Sequence, residues 1–458
     1  MAPVTQLLWA PRAWVGGQWA RSVCLEVGRD GHWTRIATDV AAAPEGAAVL
    51  AGPALPGFVD AHSHAFQRAF AGLAERRDSE HDDFWSWRDR MYQVALRVTP
   101  EQLRDIAAQL QIELLRGGYT QVCEFHYLQH APDGSAYADA GTLSWALADA
   151  TAETGIGLTL LPVLYERAGF AQPQLRADQR RFATDADTVL ALQRAAQHRG
   201  LNCGVAIHSL RAATPASIAR LVEGTSNGPI HIHVAEQTAE VDDCLAAGRW
   251  RPIEWLTAEQ ALDRRWQLVH ATHATPREIE AVAATGAGVV ICPTTEANLG
   301  DGLADLPRWL AAGVPLAIGS DSNVCRDALE ELRWLEYGQR LALRRRNVAA
   351  APGTQPASAA RLLERVVEGG AAAAGFARWG LVEGARADLL VVDPSCDALR
   401  GVPDTAILDA LVFAGAANPW CDVMVAGRWV QRGGRHEAAP AIAARFERAM
   451  AALWGKPA

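Results

Sequence analysis

Along most of this chain, short apolar runs rich in β-branched residues alternate with longer stretches in which apolar positions recur every three or four residues. The short runs are GFVDAHSH, TQVCEFHY, LTLLPVLY, CGVAIHSLR, PIHIHVAE, WQLVHATH, GVVICPTTEA and PLAIGSDSN. They predict eight strands, each closing on a polar or ionisable residue. Between them PEQLRDIAAQLQIELLRGG, TVLALQRAAQHRG, PREIEAVAATG and LADLPRWLAAG begin near Pro or Asp and stop at Gly, which predicts helices. Strand–helix units repeated over roughly 300 residues predict a (β/α)8 TIM-type barrel, whose functional groups gather at the C-terminal ends of the strands.

The two ends of the chain read differently. Residues 1–55 hold the β-like runs LLWAPRAWVGG and VCLEVGRDGHWTRIA, the second folded at Gly28-Arg29-Asp30-Gly31. After about residue 365 the β character returns in GLVEGARADLLVVD and in VMVAGRWVQRGGRHE, a hairpin with Gly427 at its bend, before a closing amphipathic helix, PAIAARFERAMAALW. The expectation is a small discontinuous β-sandwich domain built from residues 1–55 and 366–458, with the α/β barrel of residues 56–365 inserted between its halves. In the insert between Gln67 and Thr99, Trp87, Met91, Val94 and Val98 fall at helical spacing, so an amphipathic helix with Arg88 and Arg90 solvated is one reading of it.

Composition narrows the function classes. A net charge of -9 with no Lys/Arg-rich run argues against a nucleic-acid partner. No run is long and pure enough to span a bilayer, and MAPVTQLLWAPRAW lacks the basic start and apolar core of a signal peptide, so a cytoplasmic protein without membrane contact is expected. Cysteines 24, 123, 203, 244, 292, 325, 396 and 421 are dispersed without CxxC spacing, which suits reduced thiols rather than a disulfide frame or a Cys-based zinc site. The only lysine is Lys456. That excludes a core Schiff base, a phosphate-loop lysine and a carboxylated lysine bridging two metals.

The candidate chemistry sits at the strand ends. His62 and His64 share one face of the first strand, with Asp60 a layer below, and two neutral imidazoles there suit a divalent ion of zinc's softness. On the fifth strand His231 and His233 share a face; His233, nearer the end, is the better third ligand, and His231 is a barrel-core imidazole or one that supports a ligand. Glu236 follows as a carboxylate able to move a proton between water and a leaving group, or as a surface acid opening the next helix. Asp321 ends a wholly apolar run and requires a cation, a metal or a hydrogen-bonded histidine nearby. His270 directly follows the sixth apolar run, whereas His273, in the next turn, could equally cap a helix or face water. The fourth strand supplies His208 and Arg211.

Taken in order, PGFVDAHSH, HIHVAE, QLVHATH, GSDS and GARADLLVVD resemble the amidohydrolase superfamily, in its one-metal deaminase and chlorohydrolase branch, over essentially the whole chain. The resemblance implies a single divalent ion, zinc first among the candidates, held by His62, His64, His233 and Asp321, with Glu236 and His270 as acid–base residues. HSHAFQRAFAGLAE, FWSWRDRMY, CEFHYLQH, HSLRA and CPTTEANLGDG resemble, more narrowly, the formimidoylglutamate deiminase family of histidine degradation. That likeness implies hydrolysis of N-formimidoyl-L-glutamate to N-formyl-L-glutamate and ammonia, a homodimer, and substrate contacts from Gln67, Arg88, Tyr127, His208 and Arg211. Spacing alone does not choose between Arg88 and Arg90, or between His126 and Tyr127. A small dicarboxylate calls for forked cationic donors such as Arg88 and Arg211. The rivals are an aminohydrolase of purine, pyrimidine or triazine rings, which would favour aromatic stacking over arginines, and a catalytically silent barrel serving as an interaction protein.

Overall fold

The computed structural model describes residues 4–75, 84–415 and 418–455; Lys456 and residues 76–83 of the insert lie outside them. All eight predicted runs form strands: Phe58–Ser63, Tyr119–His126, Gly157–Leu164, Val205–Ile207, Ile230–Val234, Trp266–His270, Gly288–Ile291 and Leu316–Ile318. Each pairs in parallel with the next. The ring closes through backbone just past the last strand: Asp321 N–H donates to the His62 carbonyl at 2.8 Å, and His64 N–H donates to the Asp321 carbonyl at 3.1 Å. Burial on both faces keeps these strands largely apolar, broken by buried polar residues such as Asp60, Glu124 and His231.

The intervening helices begin where their capping chemistry says they should. Thr99 and Gln102 form a reciprocal capping box ahead of Pro100–Arg116, and Thr275 and Glu278 do the same for Pro276–Ala283. The insert helix, Phe84–Ala95, buries Met91 and Val94. Its arginines are not solvated as the amphipathic pattern allowed. Arg88 is 15 % exposed, with its guanidinium 5.5 Å from the Tyr92 ring, and Arg90 donates to the Ala74 carbonyl at 3.0 Å.

The chain ends build a second sheet. Val4–Val15, Gln18–Gly28 and Trp33–Ala37 run antiparallel, and the two-residue strand Ala54–Leu55 joins them to Leu389–Val392, Trp420–Val425 and Arg428–Gln431. These strands follow one continuous hydrogen-bonded path around a separate core that includes Leu8, Val23, Leu25, Trp33, Leu389 and Met424. Helix Ser358–Ala373, which contains the expected boundary at 365/366, packs against the barrel so closely that a Cβ on Gly369 would lie 2.1 Å from the Leu316 carbonyl oxygen. All eight cysteines are free thiols. No helix among the described residues is long and apolar enough to cross a membrane.

Candidate active site

His62, fully buried on the first barrel strand, and His64, just beyond it, stand with ring centroids 4.7 Å apart. The fifth strand brings His233 Nε2 to 2.9 Å from His62 Nε2. From the far side of the ring closure, Asp321 Oδ1 lies 3.5 Å from His62 Nε2 and 3.3 Å from His64 Nε2. Donor atoms spaced about 3.4 Å apart are what a tetrahedral ion at 2.0–2.1 Å requires, and three nitrogens with one carboxylate oxygen suit zinc or a similar divalent ion. The tautomers agree with that role: His64 donates its Nδ1–H to the Phe125 carbonyl at 2.8 Å, leaving Nε2 to face inward. Asp60 lies beneath, where it accepts from the Ser320 N–H at 2.9 Å and hydroxyl at 2.6 Å, and so ties down the turn that carries Asp321.

His270 is placed between carboxylates. Its Nε2 is 3.6 Å from Glu236 Oε1 and 3.8 Å from Asp321 Oδ2, and its Nδ1 is 3.3 Å from Glu296 Oε1. Burial alone would lower this imidazole, but Glu236, Glu296 and Asp321 together raise it to about 10. Burial lifts Glu236 to about 7, with Asp321 and Glu240 adding to the rise while His270 and Arg211 oppose it. Burial acts on Asp321 in the same upward sense, yet the neighbouring His62, His270 and His64 hold it well below the ordinary carboxylate range. His62, by contrast, is pushed down to about 3, mainly by burial.

Four residues at these strand ends have left-handed backbones: Ala235 (φ +51°), His270 (φ +69°), Ala271 (φ +47°) and Asp321 (φ +46°). For a residue with a Cβ this costs about 1–2 kcal/mol. The strain turns each strand sharply at its end and aims His270 and Asp321 across the barrel mouth.

Above this cluster the barrel mouth opens into a cleft. Gln67, Arg88, Tyr127, His208 and Arg211 all line it, together with His64, His233, Glu236, His270 and Asp321. Gln67 donates to the Tyr127 hydroxyl at 3.0 Å, and the His208 ring packs 4.4 Å from that of Tyr165. Between the pairs that spacing left open, Arg88 and Tyr127 reach the cleft, while Arg90 and His126 do not line it. His231 lies deeper, donating Nε2–H to the Ala373 carbonyl at 2.8 Å, and His273 is outside the cleft lining.

Sequence reasoning missed the aromatic walls Tyr92, Tyr165 and Phe182, and the acid Glu296. Tyr92 carried a usable signal, because it follows Arg88 by four residues on one helix and so shares its face. Phe182 sits in an irregular loop with no periodicity to betray it.

A model of the amidohydrolase family matches residues 54–430. A formimidoylglutamate deiminase from Pseudomonas aeruginosa is 47 % identical over 434 residues, covering 94 % of this chain and 95 % of that protein. Among solved structures, an amidohydrolase from Brucella melitensis superposes with a TM-score of 0.92 at 40 % identity, over 98 % of this chain and 100 % of that one. An adenosine deaminase from Xanthomonas campestris with bound zinc shares the fold, with a TM-score of 0.81 at 23 % identity over 99 % of each chain.

Proposed function

Because the chain belongs to the amidohydrolase family, we propose that it is a metal-dependent hydrolase converting N-formimidoyl-L-glutamate and water to N-formyl-L-glutamate and ammonia. The observation that carries this reading is the 47 % identity to a formimidoylglutamate deiminase along nearly the full length of both chains. The cleft agrees in its chemistry, because Arg88 and Arg211 offer planar forked donors to a guest bearing two carboxylates.

In this reading one divalent ion, zinc first among the candidates, is held by His62, His64, His233 and Asp321. Such an ion, when bound, supplies a Lewis acid that lowers the pKa of water from 15.7 towards about 7. The chain's own groups do the rest. Gln67, Arg88, Tyr127 and Arg211 fix the two carboxylates, and His208 holds the formimidoyl group. The oxygen of water bonds to the formimidoyl carbon while Glu236 takes up the proton. Attack on the protonated amidine leaves an adduct bearing a hydroxyl and an amino group; Glu236 then gives its proton to the terminal nitrogen and takes up the hydroxyl proton as the carbon–nitrogen bond breaks, so that the formyl C=O forms and ammonia leaves. Its pKa near 7 suits a group that must both accept and donate at neutral pH. His270, between Glu236 and Asp321, orients the water.

Ammonia release from formimidoylglutamate, guanine and adenosine, measured side by side, tests the assignment. Turnover of the first alone is expected; turnover of a ring substrate with none of formimidoylglutamate would replace this reading with that of a ring aminohydrolase. The same reading makes the protein a cytoplasmic homodimer of histidine catabolism, and a single-chain mass in sedimentation equilibrium would remove the dimer from it.

A further inference from the structure

The seventh barrel unit supplies none of the proposed ligands, yet its short helix, Pro293–Leu299, reaches both sides of the site. Thr295 donates its hydroxyl to the Ser320 carbonyl at 3.2 Å and lies 3.1 Å from the Ser322 hydroxyl, gripping the residues on either side of Asp321. One position further along, Glu296 turns the other way. It is 3 % exposed, accepts the Cys292 N–H through Oε1 at 2.9 Å, and places the same oxygen 3.3 Å from His270 Nδ1.

We propose that Glu296 is a positioning residue, accepting the Nδ1–H of His270 and thereby fixing which nitrogen of that ring faces the cleft. Rotation about the imidazole's second torsion is soft and roughly two-fold, so position at a strand end does not by itself decide which nitrogen points where. A carboxylate accepts and does not donate, so an acceptor buried on one side admits only a protonated Nδ1 there. Nε2 is then the nitrogen turned to Glu236 at 3.6 Å and to Asp321 at 3.8 Å. Glu296 cannot drift from this task, because the Cys292 N–H at the start of its own helix holds the oxygen that His270 uses. The inference rests on the functional reading above for what Nε2 does, but not for where the ring points.

Two measurements separate those parts. In Glu296→Ala, kcat for formimidoylglutamate should fall about 10- to 100-fold with KM within twofold and divalent metal content unchanged, the range seen when the partner of a functional histidine is removed. Glu296→Gln should recover most of kcat, because the Cys292 N–H pins the amide oxygen where the carboxylate oxygen was. Glu296→Asp keeps the charge but falls one methylene short, and should behave like the alanine chain; if the alanine chain does not fold, the contrast between Gln and Asp decides the question. Independently of turnover, ¹⁵N spectra of imidazole-labelled protein, assigned with His270→Asn, should show a protonated Nδ1 in the parent and in Glu296→Gln. Unchanged kcat in Glu296→Ala, equal losses in the Gln and Ala chains, or an unprotonated Nδ1 in the parent would each overturn the proposal. A parent that releases no ammonia from formimidoylglutamate would sink the functional reading alone, leaving the spectra to judge Glu296.

Discussion

His231 and His233 lie two residues apart on one strand of five residues, share a face and are both buried, yet they live in different chemistry. Towards the N-terminal side of the barrel, His231 donates to the Ala373 carbonyl, and the neighbouring Ala374 carbonyl accepts from Thr159 at 3.1 Å and from Asn202 at 2.8 Å. These are neutral donors on neutral acceptors in a settled lattice. Towards the C-terminal side, His233 meets His62 nitrogen to nitrogen at 2.9 Å, Asp321 stands within 3.3–3.5 Å of two imidazoles, and the backbones of His270 and Asp321 are left-handed. One end of the barrel ties its polar side chains to neutral backbone carbonyls, although the second nitrogen of His231 is left without a partner. The other holds donors that converge without satisfying one another, which is what a site built around a guest looks like.

The largest effect should come from emptying that convergent end. Dialysis against a chelator should lower ammonia release from formimidoylglutamate by about a thousandfold, several kcal/mol of barrier, and added zinc should restore it. Activity that survives in demonstrably metal-free protein would erase the distinction between the two ends. Next in size is Glu236→Gln, which keeps the shape but removes the proton carrier. A fall of about 10²- to 10⁴-fold in kcat with metal content intact is expected, and near-parental turnover would take Glu236 out of the mechanism. A smaller loss should follow Arg211→Met: about 2 kcal/mol of kcat/KM towards the dicarboxylate, roughly thirtyfold, from a lost charge-assisted contact. An unchanged kcat/KM would leave Arg211 a wall and not a contact.

How far the sequence revealed these two ends follows from how each is made. The barrel strands were legible because burial on both faces keeps them largely apolar, and the side-chain period of two puts His62 with His64 and His231 with His233 from spacing alone. That Gln67, Tyr127, His208 and Arg211 would meet above one cleft was legible only through resemblance, since they come from three separate units, the first, second and fourth, and no local pattern links these. The choice of Arg88 over Arg90 had no signal either, because both occupy half-buried positions of one amphipathic helix. Glu296 stayed hidden because its partner His270 is 26 residues away and belongs to the preceding unit. At the chain ends the expected small β structure is present, but the link between its two halves was not legible, because it runs through Ala54–Leu55, which is too short to show any alternation. Strand periodicity records which face is buried; it does not record which strand lies alongside.

The smallest effect on turnover is the sharpest test of the comparison, because it changes a histidine of the same strand and face as a proposed ligand. His231→Phe removes the donor to the Ala373 carbonyl while keeping a planar ring of similar size in a fully buried position. The loss is a hydrogen bond and the satisfaction of a buried carbonyl, so stability should fall by about 1–3 kcal/mol, read as a lower midpoint in thermal denaturation. With the mouth of the barrel untouched, kcat and metal content should stay within twofold of the parent. The same change two residues on, His233→Phe, should invert the pattern, with metal and turnover lost and the melting midpoint of the metal-free protein nearly unmoved. If His231→Phe instead lost metal as His233→Phe does, the two ends of the strand would be one cooperative unit, and its polar layers would not divide into a resting end and a working end.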